Sequence, residues 1–176
     1  MTDIAVNAAT DAESYLHQKA ERLVLEGYRL MSATADADVA APTEAVLRFH
    51  QATLGTGPGK ETAVALERFI AALNANASGS LIAYKPGSLF LSQDELLLLG
   101  TIAGIQHWDE EIFRLCLRRL CRKSGLIKVA ASAEALTVTL RNFGMILKPL
   151  PSKLRGRIIR QAETISYAHT GSQTLH

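Results

Sequence analysis

Apolar residues recur along this chain mostly at helical spacing. Between residues 9 and 33, Leu16, Ala20, Leu23, Val24, Gly27 and Met31 return every three or four positions, and Glu13, Lys19, Glu21, Arg22 and Glu26 fall largely outside that stripe, which predicts a long amphipathic helix. Residues 34–42 are small, polar and acidic, with Asp36 and Asp38, and read as a linker. Thr43 then stands where a side-chain cap would start a helix from Glu44 to about Leu54. A three-glycine loop, Gly55 to Gly59, leads into a helix from about Lys60 to Asn76 carried by Ala63, Leu66, Phe69, Ile70 and Leu73. Two short apolar runs, Leu81 to Tyr84 and Leu89 to Leu91, flank the turn signal Lys85-Pro86-Gly87-Ser88 and suit a small hairpin or one irregular strand.

Ser92 followed by Glu95 is a capping box, in which each side chain satisfies the other residue's backbone amide. The helix it opens runs to about Gln106 and is apolar on most sides through Leu96 to Leu99, Ile102 and Ile105, which predicts central burial. After Trp108, acidic Asp109, Glu110 and Glu111 precede basic Arg118, Arg119, Arg122 and Lys123, the order that suits a helix dipole, and Gly125 supplies a stop. Leu126 to Val129 and Leu136 to Leu140 resemble two strands because Thr137-Val138-Thr139 is rich in β-branched residues; the competing reading makes Ser132 to Phe143 a helix. Pro149 and Pro151 break the chain before a basic helix from Lys153 to about Tyr167. The expected fold is mainly α, a helical bundle of five to seven helices with room for a small β-hairpin or wing. Residues 1–58 form an N-terminal helical extension, a candidate oligomerisation arm that makes a homo-oligomer the expected state, and residues 59–176 form a helical core with a basic C-terminal part.

Composition narrows the class. A chain of 176 residues buries a core without disulfide or metal, and with 48% hydrophobic but only 6% aromatic residues that core is built from Leu and Ala. The first ten residues carry no basic charge before an apolar run, and Leu96 to Ile105 is about half of the roughly 20 residues a membrane span needs, so a cytoplasmic protein without a membrane segment is expected. Cys116 and Cys121, the only cysteines, are read as reduced core thiols. The net charge of +2 hides an asymmetry: residues 1–110 carry 7 Lys/Arg against 14 Asp/Glu, and residues 111–176 carry 12 against 3. Such a basic third attracts a phosphate backbone or an acidic protein surface.

Motifs for chemistry are sparse. Leu54 to Thr62 is similar to the phosphate-binding loop of nucleotide hydrolases but has Leu54 where that pattern has glycine and Glu61 where it has Ser or Thr, so an interhelical loop is the expectation. Glu13, His17 and Glu21 share a helix face, and His107 lies four residues before Glu111, but neither set completes a metal site, and solvated ion pairs explain both. No cofactor or metal is expected, and a binding protein is favoured over an enzyme.

The helix with Arg114, Arg118 and Arg122 on one outward face is the best functional signal. Residues 91–141 resemble a winged-helix DNA-binding domain: Leu91-Ser92 and Glu95 open the supporting helix, Leu117 to Leu126 are similar to the end of a recognition helix, and Lys128 and Arg141 flank the wing. The resemblance departs from that pattern between Ile105 and Glu111, where a separate short helix has scarcely any room. It implies a regulatory protein that binds double-stranded DNA, with Arg114, Arg118 and Arg122 contacting phosphates or guanine edges and Lys123, Lys128, Arg155, Arg157 and Arg160 contacting the backbone. The alternative is a helical protein-interaction or adaptor module whose basic face pairs with an acidic protein surface, through carboxylates such as Glu13 or Glu21 of a neighbouring subunit.

Overall fold

The helical spacing is realised along most of the chain. The structure, a computed structural model, describes residues 16–33 and 42–160. Its helices are α1 (Lys19–Ser32), α2 (Pro42–Leu54), α3 (Thr56–Asn76), α4 (Gln93–Gln106), α5 (Glu110–Leu120), α6 (Leu126–Asn142, after the 3-10 turn Lys123–Gly125) and α7 (152–160). The start of the first helix with Glu13, the linker residues 34–41 and the end of the last helix beyond residue 160 lie outside the described residues. Together the described helices form a bundle, as the apolar periodicity requires.

Three antiparallel pairings build the bundle. Only Gly55 separates α2 from α3; its φ of 88° belongs to the left-handed region that glycine occupies without strain. Helix α3 folds straight back, so that Gly59 meets Gln51 and Thr43 Oγ1 reaches Glu67 at 3.3 Å. A Cβ on Gly59 would stand 2.5 Å from the Gln51 backbone, so the crossing exists because residue 59 has no side chain. The glycine loop expected at 55–59 is therefore one turn residue followed by the first turn of α3. Helix α5 returns along α4, with Gly104 against the Phe113 backbone and Gly100 against the Cys116 sulfur. Helix α6 runs back along α3 from Gly125, which packs on Asn76. A single antiparallel bridge between Ala77 and Cys121 ties the ends of α3 and α5.

The core is continuous. Leu96 to Leu99 and Ile102 of α4 are buried at its centre, Leu66, Phe69, Ile70 and Leu73 of α3 and Leu154 and Ile158 of α7 pack around them, and Leu23, Val24 and Tyr28 of α1 with Val46 of α2 belong to the same cluster. The described part of the N-terminal extension thus spends its apolar stripe within its own chain.

The two strands expected at Leu126 to Val129 and Leu136 to Leu140 do not form; one helix, α6, runs through both. Val129, Ala133, Leu136 and Leu140 are all buried, at spacings of four, three and four that only a helix brings to one face. The β-branched Thr137 and Thr139 are accommodated because their hydroxyls donate to the carbonyls of Ala133 and Ala135 at 2.8 and 3.0 Å. Residues 81–91 likewise form no strand: the Ile82 and Tyr84 amides donate to the carboxylates of Asp94 and Glu95, at 2.8 and 2.9 Å, where a hairpin would need facing carbonyls.

That segment is organised by a buried ion pair. Arg29 and Glu95 have side chains with no exposed surface, and Arg29 Nε donates to Glu95 Oε1 at 2.7 Å and Nη2 to Oε2 at 3.1 Å. The guanidinium also donates to the carbonyls of Ser88 (2.7 Å) and Phe90 (2.6 Å) and to Glu26 (3.0 Å). Glu95 accepts in turn from the amides of Ser92 and Tyr84, so the expected capping box is present and forms one side of the network. Burial disfavours the Arg29 cation, but hydrogen bonds and attraction from Glu95 and Glu26 outweigh it and raise its pKa.

Candidate functional site

Helix α5 presents the basic face because its inward residues are Ile112, Cys116, Leu117 and Leu120. With those positions turned to the core, Arg114 and Arg118 point to solvent, and both are exposed. The helix ends at Leu120, one turn earlier than its charge pattern implies, since Cys121 is extended and its neighbours bond to the end of α3: the Arg122 amide to Asn76 at 2.8 Å and the Ser78 amide to Leu120 at 3.0 Å. Arg122 and Lys123 consequently lie in the connection to α6, both exposed, and Arg122 Nε donates to the Ala77 carbonyl at 3.0 Å. Lys128 is exposed in the first turn of α6.

The sequence-selected cations fall into two groups. At the start of α5, Arg114 pairs with Glu110 at 3.4 Å, and Arg155 of α7 pairs with Asp109 and, at 2.7 Å, with Glu111. Asp109 also caps α5 by accepting from the Ile112 amide. At this end each of the three carboxylates has an arginine partner. At the other end, Arg118, Arg122, Lys123 and Lys128 are exposed and have no ion-pair partner among the described residues, and no carboxylate occurs in the sequence between Glu111 and Glu134. Arg119 is half-buried beside α7, donating to the Ile158 carbonyl; Arg157 is half-buried and Arg160 exposed on α7. Arg155 thus belongs to the α5–α7 contact more than to an open surface. Arg141, expected to flank a wing, donates to the Gln106 carbonyl and lies 5.8 Å over the Trp108 ring.

The other candidate groups are structural. Cys116 and Cys121 are free and buried, and burial pushes their thiols up to about 12 and about 11, which keeps them protonated and unreactive. His107 Nε2 lies 2.6 Å from the Leu147 carbonyl and Glu111 binds Arg155, so this pair holds no metal. Glu21 has no exposed surface and accepts from the Lys148 amide at 2.5 Å, so it is withdrawn from any subunit interface, contrary to the expectation that it faces an arginine of a neighbour. The Gly59 amide donates to Gly55 and the Thr62 hydroxyl to the Pro58 carbonyl, so this stretch is ordinary helix start and no phosphate cradle. Among the described residues no group of three or more His, Cys, Asp or Glu is placed to hold a metal, and no helix is long and apolar enough to cross a membrane.

Sequence reasoning passed over two features. The Arg29–Glu95 pair joins residues 66 apart, which no local pattern signals. A groove beside Trp108 arises only where α4, α5 and α6 converge; the sole hint in the sequence was a lone tryptophan between two helices. Comparisons of the chain with protein-family models, with curated proteins and with solved structures give no match.

Proposed function

We propose that this protein is a non-enzymatic regulatory module that associates with double-stranded DNA through the C-terminal end of α5 and the turn into α6. The observation that carries this reading is the exposed, carboxylate-free cluster of Arg118, Arg122, Lys123 and Lys128. Cations in that setting exchange water and counterions for phosphate oxygens, and the released counterions drive binding. With no wing beside α5 and its arginines on an outward face, the contacts expected are to phosphates, and binding tolerates changes of base sequence.

Anisotropy of a labelled duplex over a salt series tests the reading. If four phosphates are neutralised, log Kobs falls against log salt with a slope of about −3.6. The double variant R118E/R122E abolishes binding. No binding at low salt, or a slope near zero, overturns the proposal.

The helical course of residues 126–142, where a wing was expected, favours a second reading, an adaptor whose basic face docks an acidic protein surface in a homo-oligomer or on a different protein. Loss of self-association in R118E/R122E, with duplex affinity unaltered, selects it over the first.

A further inference from the structure

The first turn of α6 carries Ile127 with 87% of its surface exposed. The helical period puts it there: α6 buries Val129, Ala133, Leu136 and Leu140, and Ile127 stands about 200° around the axis from Val129, on the side away from the core. Its backbone is fixed. The Arg122 amide donates to the Asn76 carbonyl at 2.8 Å and the Gly125 amide to that of Arg122 at 2.9 Å, and a Cβ on Gly125 would stand only 2.4 Å from that of Asn76. The side chain is thus carried outward on a rigid corner. Cations flank it in the chain: Lys128 is the next residue, and Lys123 and Arg122 precede it across the turn, all three exposed. The next carboxylate along α6 is Glu134, about two turns further on.

We propose that Ile127 is the residue of this basic face that enters the duplex, inserting from the minor groove between two base pairs while Arg118, Arg122, Lys123 and Lys128 hold the phosphates on either side. The inference rests on the duplex reading above and adds to it a preference for DNA that unstacks readily, without any reading of base edges. Two partners suit cations set around one exposed aliphatic residue: a duplex, whose phosphates border a stack of apolar base faces, and an anionic lipid surface. Number decides between them. Attachment to a membrane grows with the apolar area buried, and even a whole acyl chain holds only marginally; among the described residues Ile127 is the only large apolar side chain exposed between Trp108 and Val138. One aliphatic side chain is sufficient at a base step, because insertion opens that step and kinks the duplex around the inserted group.

Duplexes that differ in the cost of unstacking test this. In anisotropy titrations a duplex with two central mismatches binds about tenfold more tightly than the fully paired duplex of the same length, because its stack is already open. Energy transfer between dyes on the two ends of the paired duplex rises on binding, as the kink brings them together. I127A changes an exposed position and so leaves the unfolding midpoint in place. It binds the two duplexes alike and leaves energy transfer at the value of free DNA, yet keeps the salt slope of the parent. The inference falls while duplex binding stands if the parent binds both duplexes equally with its slope intact, or if I127A retains the preference and the kink. It falls together with the duplex reading if the parent binds neither duplex, or if it binds vesicles of phosphatidylserine and phosphatidylcholine more tightly than either, the mark of a lipid surface.

Discussion

Replacing Arg29 by methionine tests whether the buried ion pair organises the N-terminal half of the bundle. The substitution keeps a flexible apolar stem of similar reach but strands Glu95, which has no exposed surface and retains only the amides of Ser92 and Tyr84 as donors. Removing one partner of a buried pair costs about 3–5 kcal/mol, against a total stability of about 5–15 kcal/mol for a domain. With a urea dependence of about 2 kcal/mol per molar, the unfolding midpoint falls by roughly 2 M. The damage is also local, because the carbonyls of Ser88 and Phe90 lose their donor. Chymotrypsin should then cut after Tyr84 or Phe90 faster than in the parent. E95Q strands Arg29 in the same way, although three acceptors, Glu26, Ser88 and Phe90, still hold the guanidinium. Because the two residues act as one unit, the double variant should be less destabilised than the sum of the singles by about 2 kcal/mol. A midpoint for R29M within about 0.5 M of the parent, or singles that simply add, would refute the assignment.

Two further perturbations read the core directly. His50 has no exposed surface, its Nδ1 lies 2.9 Å from the Val46 carbonyl and its Nε2 has no partner; burial lowers its pKa from 6.5, so its contribution to stability is intact above pH 6.5 and is lost as pH falls below it, and H50L should flatten that limb of a urea-midpoint profile. Glu21 runs the other way: burial raises its pKa from 4.5 against the pull of the Lys148 amide, its contribution is present below pH 4.5 and is lost as pH rises through its folded pKa, so E21Q should exceed the parent's midpoint at pH 7 and lose that advantage toward pH 4.5. The glycines separate by what a methyl group would meet. G59A strikes the Gln51 backbone and should cost about 1–3 kcal/mol or more, G27A strikes the movable ends of Leu66 and His50 and should cost less, and G57A meets nothing within 4 Å and should stabilise by about 0.5–1 kcal/mol. A thermal-unfolding series that reverses this order contradicts the reading of the α2–α3 crossing.

What was legible in the sequence is what local chemistry dictates. The Ser92–Glu95 box and the all-round apolar α4 follow from residues within one or two turns of each other, and both stand as expected. Glu21 and Arg29 were harder. A 3.6-residue period sorts charge outward, yet each of these groups is buried because a partner far along the chain, the Lys148 amide or Glu95, compensates it. At α6 the strand reading failed and the competing helical one stood for a similar reason: three β-branched residues spoke locally for a strand, while the helical period of Val129, Ala133, Leu136 and Leu140 carried the burial energy that decided the outcome. The division of the basic residues into paired and unpaired groups was not legible, because Arg155 finds Asp109 and Glu111 only once α7 packs on α5.

The charge order of α5 serves its own dipole, and that alone would justify acidic residues at its start and Arg118 and Arg119 at its end. The magnitudes separate this local role from a functional one. A cation at an exposed helix terminus contributes about 0.3–1 kcal/mol, so Arg118→Gln should move the unfolding midpoint little. The same loss of one phosphate contact should change the salt slope by about 0.9 and weaken duplex binding uniformly across sequences. The two ends of α5 are also far enough apart to act separately: its 11 residues span roughly 16 Å, beyond a Debye length of about 8 Å at physiological salt. Changes at Trp108 and at Arg118 should therefore add within about 0.5 kcal/mol in stability. Coupling between them would mean that the two ends of α5 act as one unit.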